Sequence, residues 1–160
     1  MNNTFQALAL HLDRCLRVLL ILLVLGLVLS VTWQVASRYL LQAPSSWTEE
    51  SARFLLIWIG LLGAAYAYRT QAHMRLEILA EKLGPAGAAR LRVLVAMAVL
   101  VFAIMVLVVG GARLVLLTLE LEQLSAALGM PMALVYLALP LSGLLIALYA
   151  LSEMIPGGGD

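Results

Sequence analysis

Four long apolar stretches alternate with shorter polar segments along this chain. A helix needs about 20 mainly apolar residues to cross a bilayer, because its backbone polar groups must be satisfied within the segment. The pattern therefore predicts an all-α membrane protein with four transmembrane helices. The predicted spans are about 16–37, 47–68, 92–112 and 131–154, and the third reaches 119 if the apolar residues after Arg113 belong to it.

Polar residues and prolines mark where the second and fourth spans begin. Ser46 and Glu49 have the spacing of a capping box, in which a serine N-cap pairs with a glutamate at the third helical position. Trp47 suits the membrane interface at the same end. Pro131 suits the first turn of the fourth span, and Pro140 in its middle predicts a kink.

The connection between the second and third spans, about 69–92, carries apolar residues at helical spacing. This spacing predicts a short amphipathic interfacial helix at the membrane surface, ended by Gly84-Pro85. An ordinary connecting helix explains the same pattern equally well. After the fourth span, we expect the glycine-rich residues 155–160 to form a flexible tail.

The first apolar run has a rival interpretation as a cleaved signal peptide, since basic residues precede it. Signal peptides have a core of about 7–15 apolar residues and a cleavage site that follows small residues. The run is longer than that, and the sequence around Trp33 is a poor approach to a cleavage site. We therefore expect an uncleaved membrane anchor.

Composition agrees with a membrane protein and excludes other classes. Of the 160 residues, 64% are hydrophobic and 12% are charged, whereas soluble domains have about 45–50% and about 25%. We expect a single membrane domain over residues 1–160. A net charge of +1 without clustered basic residues argues against a nucleic-acid partner. The single cysteine, Cys15, cannot form a disulfide within the chain.

Basic residues are distributed unevenly between the two sides of the membrane, and cytoplasmic loops carry the excess. Before the first span and between the second and third lie seven: Arg14, Arg17, Arg69, Arg75, Lys82, Arg90 and Arg92. The other side has three: Arg38, Arg53 and Arg113. This distribution predicts that both termini lie in the cytoplasm. We expect a multi-pass protein of the bacterial inner membrane.

The sequence shows no arrangement of residues typical of an enzyme. His11 and His73 both lie outside the predicted spans, so they cannot supply axial haem ligands within the bundle. There is no glycine-rich phosphate loop before a helix. We therefore predict no catalytic, cofactor-binding or metal-binding residues. Polar residues within the spans are few, which disfavours a self-contained channel or carrier but leaves it open.

The second span and the end of the first contain the residues that could contact a partner protein. Arg53 follows Glu49 by four residues and Glu50 by three, so either carboxylate shares a helix face with it. Pairing within the helix and contact with a partner both remain open. Gly60 and Ala64 have the spacing that lets helices approach closely. The candidate interface residues are Arg38, Tyr39, Trp47, Glu49, Glu50, Arg53, Trp58, Gly60 and Gly63.

These residues resemble the signature of a known family. The matching positions are Arg38-Tyr39, Pro44, Trp47-Thr48-Glu49-Glu50, Arg53, Trp58 and Gly63-Ala64-Ala65, supported by His73-Met74, Glu77, Ser125 to Pro131, Tyr136 and Pro140. The pattern resembles the small membrane subunit (DctQ-like) of tripartite ATP-independent periplasmic (TRAP) transporters. One departure is that Ala126 or Ala127 stands where the family often has a proline.

The resemblance implies a small scaffold subunit of a secondary transporter that takes up organic acids. Its partners would be a large membrane subunit, which carries the substrate and the coupled sodium ions, and a periplasmic solute-binding protein. The small subunit itself would need no cofactor. Two alternatives from other classes are the self-contained channel or carrier and a membrane assembly factor without a transport role.

Overall fold

The computed structural model describes residues 3–43 and 45–154, with side chains described for 12–43, 45–70, 87–152 and 154. Within these residues the chain is helical apart from its connections, and no strand is present. The elements are α1 (Asn3–Tyr39), α2 (Ser46–Phe102), a π-helical segment (Ala103–Gly110), α3 (Gly111–Glu120), α4 (Met132–Tyr136) and α5 (Ala138–Met154). The predicted all-α fold is therefore confirmed.

Four helical stretches are long and apolar enough to cross a membrane, as predicted. They are span 1 (Leu12–Tyr39), span 2 (Ser46–Thr70), span 3 (Gly87–Glu120) and span 4 (Met132–Ser152). Most of their large apolar side chains are exposed, while the residues buried between helices are mainly small. Alanines at the centre allow close helix approach, and lipid is the natural solvent for the leucines and valines outside.

The chain reverses direction within α2, between spans 2 and 3. Arg69 lies beside Tyr149, and Leu107 lies beside Gly143, six residues before Tyr149 in span 4. A straight helix would place Leu107 about 57 Å beyond Arg69 at 1.5 Å per residue. Because both residues contact the same short stretch of span 4, spans 2 and 3 must run in opposite directions.

The backbone between these spans is helical throughout, including Gly84 and Pro85. The prediction that Gly84-Pro85 ends a helix is therefore wrong. Proline removes one backbone hydrogen bond and kinks a helix, but helical dihedral angles can continue through it. The side chains of 71–86 lie outside those described, so the amphipathic character of this segment stays a prediction. The predicted tail, 155–160, also lies outside the described residues.

Spans 3 and 4 pack closely through two glycines. A Cβ at Gly111 would lie 2.8 Å from the Leu139 Cβ and 2.9 Å from the Pro140 Cδ. A Cβ at Gly143 would lie 2.6 Å from the Leu107 Cβ, on the π-helical segment. Both separations are far below ordinary carbon contacts of about 3.5–4.0 Å. Only glycine therefore permits this helix spacing at the two positions.

Span 4 is interrupted near its start. The turn at Leu137 separates α4 from α5, three residues before Pro140. Pro140 has no N–H to donate to the carbonyl of Tyr136, and its ring crowds that carbonyl. The Leu137 and Leu141 N–H groups still donate to Ala133 and Leu137, so the interruption is confined to about one turn.

The cap of span 2 differs from the predicted capping box by one residue. Ser45, not Ser46, is the N-cap, and its backbone is extended (φ −91°, ψ 104°). Thr48 therefore occupies the third helical position, and its hydroxyl donates to the Ser45 carbonyl at 2.8 Å. Glu49 lies one position too far along the helix to complete the predicted box.

Candidate partner-binding site

The bundle has two ends with different polar contacts. The end that carries the connections 40–45 and 121–131 is called the loop end. The opposite end, which carries Asp13 and Tyr149, is called the terminal end. Ionisable and hydroxyl groups are costly inside a membrane unless they are paired. At both ends such groups connect separate parts of the bundle.

At the loop end, hydroxyl groups connect span 1 to span 2. The Ser37 hydroxyl lies 3.2 Å from the Ser45 hydroxyl, which in turn bonds to the hydroxyl of Thr48. Ser37 and Thr48 are both buried. The Ala43 N–H also donates to the Ser37 carbonyl at 3.1 Å. These bonds satisfy buried polar groups and hold the turn between the two spans in place.

Glu49 and Arg53 form an ion pair within their own helix. Their side chains are 3.3 Å apart at spacing i, i+4, and both are largely exposed. Pairing within the helix, which the sequence left open, is thus the observed arrangement. An exposed pair of this kind contributes only about 0–1 kcal/mol to stability, so it is not what holds span 2 in the bundle.

Glu50 does not pair with Arg53, although their spacing would allow it. Its carboxylate accepts hydrogen bonds from three consecutive backbone N–H groups of the loop between spans 3 and 4. The donors are Ala126 at 3.1 Å, Ala127 at 2.8 Å and Leu128 at 2.9 Å. Glu50 therefore has a structural role that sequence spacing missed, because its partners lie 76–78 residues away.

The loop that Glu50 contacts has a defined backbone conformation. The Ser125 N–H donates to the Met130 carbonyl at 2.9 Å, and the Met132 N–H donates to the Gln123 carbonyl at 2.9 Å. Gly129 has a φ of +64°, a conformation that glycine adopts at little cost. The Ser125-to-Pro131 motif singled out in the sequence thus forms a closed turn before span 4.

At the terminal end, a charged cluster joins spans 1, 2 and 4. The Arg69 Nε lies 2.6 Å from the Asp13 Oδ2, and the Tyr149 hydroxyl donates to the Asp13 Oδ1 at 3.0 Å. The Arg69 guanidinium also lies over the Tyr149 ring, 5.1 Å from its centroid. This cluster was not predicted from the sequence. A lone acidic residue at the start of an apolar span was the available signal, because such a residue needs a partner.

The predicted interface residues that remain available to a partner lie on the outward face of span 2 and at the loop end. Arg38, Tyr39 and Trp47 are exposed, and Trp58 is half-buried. A Cβ at Gly60 or Gly63 would meet no described atom within 4 Å. Gly60 and Gly63 therefore leave this part of span 2 open, whereas Gly111 and Gly143 pack spans 3 and 4 together.

Span 3 also presents an open apolar groove on its outer face. Arg90 lies at one end of the groove, and Met97, Phe102 and Met105 are among its lining residues. Such a face suits lipid chains or another transmembrane helix equally. Elsewhere among the described side chains, no group of three or more His, Cys, Asp or Glu could hold a metal ion.

Fold and contacts together define a multi-pass membrane protein whose described polar clusters tie helices together at the bundle ends. Its sequence matches the family of tripartite ATP-independent periplasmic transporters, DctQ component, over residues 27–157. The match covers most of the chain, so the chain belongs to this family. The resemblance inferred from the motif around Trp47 and Arg53 is therefore confirmed.

Individual relatives agree with this assignment. A Haemophilus influenzae protein described as a TRAP transporter small permease protein is 29% identical over 150 residues, covering 94% of this chain and 91% of that protein. The sialic acid TRAP transporter small permease protein SiaQ of Vibrio cholerae is 38% identical over 61 residues, 38% of this chain and 35% of SiaQ. The isethionate TRAP transporter permease protein DctMQ of Oleidesulfovibrio alaskensis is 30% identical over 136 residues, 81% of this chain and 21% of DctMQ.

Proposed function

We propose that this chain is the scaffold subunit of a TRAP-type secondary transporter. In this role it supports a large sodium-coupled membrane subunit during uptake of organic acids delivered by a periplasmic binding protein. The observation that carries the proposal is the family match over residues 27–157. The named substrates of two relatives, sialic acid and isethionate, support organic acids as the substrate class.

Two further observations support a large membrane partner. The matched region is only 21% of DctMQ, so a relative of this chain occurs within a much longer permease protein. The outward face of span 2 offers a place for such a partner, because Gly60 and Gly63 leave its surface open. Sodium coupling belongs to the large subunit in this proposal, and this chain requires no cofactor.

The proposed orientation places the loop end outside the inner membrane. Seven basic residues lie on the terminal side and three on the loop side, which favours cytoplasmic termini. The loop 121–131 would then face the periplasm, where the soluble binding protein is found. The terminal cluster around Asp13 would lie at the cytoplasmic surface.

Co-purification with the large subunit tests the proposed span 2 interface. Helix association in lipid depends on packing and polar contacts rather than on hydrophobic attraction. Gly63→Leu should therefore reduce recovery of the complex strongly, while Arg53→Ala should reduce it little, because the Glu49–Arg53 pair is exposed. Gly110→Leu is the matched control, since Gly110 is an exposed glycine on span 3.

Each variant must first be shown to insert at the wild-type level. Normal recovery of Gly63→Leu with loss of Arg53→Ala would make the contact electrostatic and contradict the packing argument.

A transport assay distinguishes the scaffold role from the alternative of a self-contained channel or carrier. Liposomes that contain this chain alone are tested for uptake of isethionate and sialic acid under a sodium gradient. Uptake above that of empty liposomes would contradict the scaffold role.

A further inference from the structure

The Glu50 carboxylate is the side chain that connects the start of span 2 to the turn before span 4. Its Oε1 accepts from Ala126, and its Oε2 accepts from both Ala127 and Leu128. Three convergent N–H groups form a site for an anion, because each donor carries a partial positive charge. A carboxylate has acceptor capacity for all three bonds, whereas an amide would turn an NH₂ group toward them.

Comparison with the neighbouring Glu49 shows that the contact with the loop depends on the position of the glutamate and not only on its side chain. It has the same side chain and the same charge one residue earlier, yet it bonds to Arg53 within its own helix. The two glutamates therefore differ in what they hold. Glu49 connects one turn of span 2 to the next turn, while Glu50 connects span 2 to a loop 76–78 residues later in the chain.

The loop held by Glu50 is a defined surface rather than a buried connection. Its backbone is closed by the Ser125–Met130 and Gln123–Met132 bonds. Leu124 in this loop is 64% exposed, and Leu40 and Leu41 in the other connection of the loop end are 81% and 62% exposed. A loop that is ordered before binding lowers the entropy lost on association.

We propose that Glu50 is a positioning residue that presets the loop 121–131 for docking of the soluble binding protein. This inference rests on the proposed function and on the orientation that places the loop end outside. The occupant is a soluble protein on that side because Glu122 in the loop and Glu120, which ends α3 just before it, are charged and favour contact with water over lipid. Glu50 itself contacts the loop and not the partner.

The test compares Glu50→Gln with Glu49→Gln in the full two-subunit complex in nanodiscs. Hydrogen exchange at the 126–128 amides reports the contact. The dissociation constant of the cognate binding protein, measured by biolayer interferometry, reports docking. Glu50→Gln should speed exchange at these amides and weaken docking by about fivefold, with normal recovery of the complex. Glu49→Gln should change neither quantity.

Other outcomes overturn the inference. Unchanged exchange in Glu50→Gln would show that Glu50 does not hold the loop, and faster exchange with unchanged docking would show that the loop is not the docking surface. If Glu50→Gln is not recovered, Glu50→Asp, which keeps the charge but is one methylene shorter, should weaken docking in the same direction. A wild-type complex that binds no binding protein would instead contradict the proposed function itself.

Discussion

Replacing Gly143 with alanine should destabilise the contact between spans 3 and 4. The added Cβ would lie 2.6 Å from the Leu107 Cβ, 3.0 Å from the Val108 Cγ2 and 3.1 Å from the Ala103 carbonyl oxygen. The first and last of these atoms cannot move by rotating a side chain, since a Cβ and a carbonyl are fixed to the backbone. The helices must therefore separate to accommodate the methyl group.

The size of the effect follows from this geometry. Ordinary carbon contacts are about 3.5–4.0 Å, so the two helices must move apart by about 1 Å at this point. Overpacking of this kind costs about 1–3 kcal/mol. An alanine also favours the helix over glycine by about 0.5–1 kcal/mol, which offsets part of the cost. The two ranges together give a net loss of up to about 2.5 kcal/mol.

Gly63→Ala is the matched control, because its Cβ would meet no described atom within 4 Å. It should be neutral or slightly stabilising in the isolated chain. The assay is reversible unfolding of both variants in mixed micelles, with the helical circular dichroism signal followed against denaturing detergent. Equal stability of Gly143→Ala and Gly63→Ala would show that the spans adjust freely, and the close-packing argument would then be wrong.

Two further predictions concern the terminal end and the orientation. Asp13→Ala should lower the free energy of unfolding by about 2 kcal/mol, because it leaves the Arg69 side chain, which is 29% exposed, without its carboxylate partner. Tyr149→Phe should lower it by only about 1 kcal/mol. The same micelle unfolding assay measures both variants, and equal losses would contradict the larger effect expected for Asp13→Ala. Reporter fusions after residue 160 and within 84–88 should be active only in the cytoplasm, because the basic residues favour that side. A periplasmic signal at either place would contradict the orientation.

The motif at the start of span 2 illustrates both the reach and the limit of sequence reasoning. The pattern around Trp47, Glu49 and Arg53 was enough to identify the family, which the match over residues 27–157 confirms. The same pattern could not assign Glu50, since its spacing to Arg53 suggested a pair within the helix. Its observed donors lie in another loop, at a distance that no local spacing reports.

The glycines show a similar division. Small-residue spacing suggested close approach at Gly60 and Ala64, but a Cβ at Gly60 or at the neighbouring Gly63 would meet no described atom within 4 Å. The glycines that pack inside the bundle are Gly111 and Gly143. A spacing rule identifies a helix face that permits close approach, but it does not say which neighbour that face meets.

The four apolar helices and the family could be predicted from the sequence alone. Lipid acts as a nearly uniform solvent, so the length of an apolar run decides whether it spans, and this is a local property of the chain. The contacts between polar groups, in contrast, depend on how the helices pack in three dimensions. Asp13 and Tyr149 are 136 residues apart in the chain, and the contact exists because the chain reverses between spans 2 and 3 and brings three helix ends together.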